Sequence, residues 1–184
     1  EGLAEAEFAG LRLFTLGRSK VGSNLIYRHE DHGSELLFDY RYTTGGGKNS
    51  QTHRQTVVAM TFTGALPAFE LRPEHVFHKI GGMLGMQDIK IPDRPAFSGK
   101  FLLRGADEEA IRGVFTGPVC DLLERNPKLS VEARDHYLIV YRAARRPKPD
   151  ELAGYLELAR QIRDTLLAGR SAGPAGARIA AHYR

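Results

Sequence analysis

One cysteine, Cys120, is present in the chain, so an internal disulfide and a multi-cysteine zinc site are both excluded and redox chemistry has little to work with. The absence of a disulfide framework leaves the compartment open. No window approaches the roughly 18 to 20 consecutive apolar residues that a membrane-spanning helix needs, and no signal-peptide pattern is present. The chain starts at Glu1 without methionine, and the expectation is an apolar anchor upstream of it. Acidic residues are missing from the last fifteen positions, "RSAGPAGARIAAHYR", which hold Arg170, Arg178 and Arg184. Of the formal charge of +4 this tail supplies three, leaving residues 1–169 close to neutral and arguing against a nucleic-acid partner.

What is present is a globular composition, with 42% apolar residues, enough for a sizeable core in one domain. The expected organisation is a single α+β domain over 1–169 and an Ala/Gly/Arg-rich tail over 170–184. Short apolar runs at Leu11 and Leu13 and at Leu25 and Tyr27 read as strands. Leu36, Phe38, Tyr40 and Tyr42 alternate with Leu37, Asp39, Arg41 and Thr43 at the period of two of a half-buried strand. "TVVAMTF" (56–62) follows, and turn chemistry at "GRSKVGSN", "EDHGS" and "TGGGKNSQ" completes an antiparallel meander.

After "GALPAFELRP" the period changes. Pro73 suits a first helical turn, with Val76, Phe77, Ile80, Met83 and Leu84 on one face up to Gly85. "MQDIKIPDRPAFSGK" is expected to be an irregular connection, "FLLRG" a strand, and Asp107 the N-cap of "EEAIRGVF". Pro118 restarts a helix that Asn126 and Pro127 stop. "LSVEAR" and "YLIVYR" are expected to pair as a hairpin across Asp135 and His136. The last helix carries a stripe of Leu152, Tyr155, Leu156, Ala159, Ile162 and Leu166, with Arg160, Arg163 and Asp164 off it and Gly169 placed as a C-cap. The sum is an antiparallel sheet of six to eight strands with three or four helices, the C-terminal one packed on the sheet.

Several polar clusters invite a chemical reading. "HEDH" (29–32) offers metal-type ligands, but adjacent residues diverge, so at most two of them can bind one ion and a further ligand must come from elsewhere. His53, on the run after the next hairpin, completes a candidate set with His29, Asp31 and His32, and His75 or His78 reaches in only if the first helix lies against that end of the sheet. Otherwise "EDHG" is a polar turn. His75 and His78 in "EHVFHK" lack the spacing of a zinc-protease helix. "GGGKNS" has Tyr42 and Asn49 where a phosphate loop requires glycine and Ser/Thr, and "GGMLG" (81–85) lacks a dinucleotide fold's strand-then-helix context. Cys120, between Val119 and Leu122, reads as a small core residue. Arg142, Arg145, Arg146 and Lys148, set among prolines between the last strand and the last helix, form a basic cluster suited to an acidic protein or an anionic headgroup.

The succession "FDYRY", "LPAFELRPE", "FSGKFLLRGADEEAIRGVFTGPVCDLLE" and "LSVEARDHYLIVYRA" resembles a group of bacterial domains of unknown function often found after one or two membrane helices. The pattern rests on Phe97, Phe101, Asp107, Phe115 and Tyr137 within about 36–145. The resemblance implies a tethered, cytoplasm-facing domain and carries no catalytic residue. Together these features point to a non-enzymatic interaction domain that needs no cofactor and binds a protein or headgroup, with a metal-dependent enzyme on His29, Asp31, His32 and His53 as the rival.

Overall fold

The computed structural model describes residues 8–74 and 88–172. Its frame is one antiparallel sheet of five strands. β1 (Arg18–Glu30) and β2 (Gly33–Thr44) form a hairpin whose two-residue turn is Asp31 and His32. Gly33, at φ +152°, is required there, because a Cβ on it would lie 2.0 Å from the Thr61 carbonyl oxygen. β2 returns through the 45–50 turn into β3 (Gln51–Pro73), the central strand. β3 pairs with β2 over its first half and with β4 (Phe101–Gly105) near its end, while β5 (Ser130–Tyr141) runs along its other side.

Alternation along these strands feeds two cores. Leu37, Val58, Met60, Leu138 and Val140 point to one face, which is covered by α2 (Pro95–Lys100), α3 (Glu108–Val114), α4 (Gly117–Glu124) and the long α5 (Leu152–Ala172). Leu36, Phe38, Tyr40, Val57, Ala59 and Ile139 point to the other, where Phe8, Leu11, Leu13, Phe14 and Leu16 close over them. Leu13 and Phe14 lie in a one-turn helix, α1 (Arg12–Thr15). The expected strand at Leu11 and Leu13 is therefore corrected: Leu11, Leu13, Phe14 and Leu16 are all buried, a spacing a strand could not direct to one face.

The α+β class, the antiparallel sheet and the C-terminal helix packed on it stand as expected. Among the described residues the strand count is five rather than six to eight, because the run at Leu11 and Leu13 is helical and the two runs on either side of Asp135 and His136 are one strand. "GALPAFELRP" belongs to β3, with register shifts on either side of Leu66. Asp135 and His136 make no hairpin. Both halves of β5 pair with β3, and Asp135, at φ +54° opposite Leu66, bends the strand between two buried runs. "GRSKVGSN" likewise lies within β1, with bulges near Ser19 (φ +52°) and Asn24 (φ +54°). The connection before β4 contains the short α2.

Asp107 caps α3 as its position suggests, its Oδ1 accepting from the Ala110 N–H at 3.0 Å. Gly169 is no cap, because α5 continues to Ala172. It is buried against α3, where a Cβ would approach the Val114 carbonyl oxygen to 2.7 Å. Tyr155, Ala159, Ile162 and Leu166 form the buried stripe. Arg160, off the stripe, fixes the rotation of α5 by gripping the buried Glu35 of β2 through Nε at 2.8 Å and Nη2 at 2.6 Å. The helix expected from Pro73, with His75, His78 and "GGMLG", and the tail from 173 onwards lie outside the described residues.

Candidate functional site

Neither core covers β1. From Arg18 to His29 the described side chains are exposed or, at Lys20, half-buried, and they include Val21, Leu25, Ile26 and Tyr27, the last two 58% and 59% exposed. Among the described residues β1 is the edge of the sheet, paired with β2 alone. Bulges interrupt its first half, but Ile26 to Glu30 pair without interruption with Leu37 to Gly33. An edge of this kind presents unpaired N–H and C=O groups between apolar side chains, and proteins ordinarily blunt it with charge or irregularity. Here the irregularity is confined to the stretch before Ile26.

Beside β1, on the face that α5 covers elsewhere, lies a cleft of about 310 Å³ lined by Val21, Ser23, Asp39, Arg41, Arg54 and Arg146. Arg41 of β2 and Arg54 of β3 are direct cross-strand partners. Asp39 accepts from Thr56 Oγ1 at 2.6 Å and from Asn24 Nδ2 at 2.9 Å, and its Oδ2 lies 3.6 Å from Arg146 Nη1. Arg146 is brought over the sheet by the β5–α5 connection, which the Thr56 N–H pins through the Arg145 carbonyl at 3.0 Å.

The basic cluster of the sequence is thus divided. Arg146 enters the cleft, whereas Arg145 pairs with Glu151 at 2.8 Å and Arg142 lies 5.8 Å over the Tyr155 ring. Lys148 opens the one-turn helix Pro149–Glu151, its own N–H bonded to Glu151 Oε2 at 2.8 Å. The metal ligands do not converge. His29 faces Ser34 across β1–β2, and His53 faces Tyr42 across β2–β3, eight residues further along β2. At about 3.3 Å per residue that places them roughly 26 Å apart along the strand. His53 instead stacks on Tyr42 with ring centroids 4.7 Å apart and bonds Thr44 Oγ1 at 2.7 Å, and burial holds its pKa below the ordinary value. Among the described residues no group of three or more His, Cys, Asp or Glu is placed to hold a metal ion. Cys120 is buried and its thiol is pushed up to about 11 by desolvation, the opposite of an activated nucleophile.

Sequence reasoning missed Arg41, Arg54 and the apolar residues of β1 as a site. The signal was available for the arginines: once 45–50 is read as a hairpin tip, alternation places Arg41 and Arg54 on one face.

An antiparallel α+β sheet capped by a long C-terminal helix is the class these elements define. In fold the chain is similar to the mycobacterial trehalose monomycolate transport factor A, TtfA, whose crystal structure superposes with a TM-score of 0.59 at 11% identity, covering 85% of this chain and 78% of that one. No family model and no curated protein match the sequence. Among the described residues no helix is long and apolar enough to cross a membrane.

Proposed function

We propose that this is a non-enzymatic interaction domain of a membrane-associated protein, and that it docks an extended segment of a protein partner by strand addition to β1. The observation that carries this is the exposed β1 edge, regular from Ile26 to Glu30, with Ile26 and Tyr27 protruding from its two faces and Leu25 exposed beside them. Main-chain hydrogen bonds along such an edge supply affinity, and alternate side chains supply specificity. β1 carries Arg18, Lys20 and Arg28 against a single acid, Glu30 at its end, so the complementary segment is apolar with an excess of acidic residues in its flanks. The fold likeness to a protein named a transport factor supports a binding role, and the resemblance to domains that follow membrane helices supports the membrane setting.

Selection of displayed random peptides on the full chain tests this. The expected outcome is enrichment of extended sequences alternating apolar with acidic residues, whose binding weakens roughly tenfold or more in an Ile26→Glu, Tyr27→Glu double variant. Both side chains are exposed, so that variant should keep the parent's stability to within about 0.5 kcal/mol. Enriched peptides that bind the double variant equally well would overturn strand addition at β1.

A further inference from the structure

We propose that Arg41, Arg54 and Arg146 form a recognition site for a phosphate monoester, separate from the β1 edge and adjoining it. Arg41 and Arg54 stand directly opposite in the β2–β3 register, an arrangement that costs stability when like charges face each other. Among the described residues, neither guanidinium has a carboxylate within ion-pair distance. A third guanidinium, Arg146, is delivered to the same cleft by a connection anchored in the sheet. The lone carboxylate of the cleft, Asp39, is already engaged by Thr56 and Asn24 and lies 3.6 Å from Arg146.

Three positive groups against one negative leave the cleft with an excess of two charges, which a phosphate dianion would neutralise. Guanidinium groups offer paired N–H donors matched to phosphate oxygens, and a phosphate bridging Arg41 and Arg54 would turn their mutual repulsion into shared attraction. The volume of about 310 Å³ is at the small end of ligand sites, suited to a headgroup-sized ion rather than to a bulky ligand. Openness to solvent on the sheet face allows the phosphate to be either a soluble monoester or the headgroup of a lipid lying against the domain.

Thermal unfolding of the full chain with inorganic phosphate, at ionic strength held constant with sodium chloride, is the test. Phosphate should raise the Tm of the parent by a few degrees in a saturable manner. It should not raise the Tm of an Arg41→Gln, Arg54→Gln variant, which in phosphate-free buffer should be at least as stable as the parent because the repulsion is gone. Co-sedimentation with phosphatidylcholine vesicles, with and without phosphatidic acid, then separates the sources. Retention on phosphatidic acid vesicles that falls roughly tenfold in the variant and in Arg146→Glu identifies a lipid headgroup. Phosphate stabilisation without vesicle retention identifies a soluble monoester. No saturable effect of phosphate on the parent, or an equal effect on the variant, would overturn the site.

Discussion

Glu35 shows how a single side chain orients the largest helix. It is 3% exposed on β2 and accepts a two-pronged bond from Arg160, with Arg163 Nη1 at 3.5 Å. The Arg160 bond, with help from both charges, holds its carboxyl below the usual carboxylate pKa against the opposing cost of burial. Glu35→Gln, which removes the buried carboxylate that Arg160 and Arg163 share while leaving them Glu157 and Asp164, should cost about 2 kcal/mol in chemical denaturation. Because the folded pKa is depressed, this contribution is present above the unfolded carboxylate value and lost as pH falls through the folded one. The difference in stability between parent and Glu35→Gln should therefore shrink as pH drops from 6 towards about 3. On the other face Glu132, 1% exposed, accepts from the Leu13 N–H at 3.0 Å and from the Tyr141 hydroxyl at 2.9 Å, tying α1 to β5. Desolvation pushes its pKa up, the reverse of Glu35.

At the scale of elements, α3 and α5 meet at a position where only hydrogen fits. Gly169→Ala should destabilise by about 1–3 kcal/mol, although alanine is the better helix former, because the Cβ meets the Val114 carbonyl. Equal or greater stability by thermal melting would contradict that packing. Legibility in the sequence follows the range of the interaction that fixes each element. β2 and α5 were readable because their apolar periods are local, and the cap at Asp107 because a cap is decided within four residues. β5 was misread because an Asp-His pair between apolar runs looks like a turn, and only pairing of both runs with the long β3 shows otherwise. α1 was misread because Leu13 finds its partner, Glu132, more than a hundred residues away. The cleft was hidden for the same reason: Arg146 joins Arg41 and Arg54 only once the β5–α5 connection has folded over the sheet.

For the whole molecule, the sheet is covered by helices on one face and by residues 8–16 on the other, and β1 lies beyond both covers. That asymmetry underlies the proposed function: the helical half holds the larger core, and the β1 side presents an apolar edge beside an arginine-lined cleft. TtfA shares the architecture at 11% identity, a level at which fold is retained and surface chemistry is free to differ. The two surfaces make separable demands, since strand addition uses the backbone of β1 and phosphate recognition uses side chains of β2, β3 and the β5–α5 connection. Disabling Arg41 and Arg54 should thus leave peptide binding within a few-fold of the parent, as titration of a selected peptide would show.

The most direct measurement is amide hydrogen exchange across the full chain with and without a selected peptide. Strand addition predicts new protection concentrated in residues 26–30 of β1, where the described edge is regular, with α5 and β5 unchanged. Protection confined to the 142–148 connection or the 45–50 turn, with β1 exchanging as in the free protein, would contradict docking at this edge.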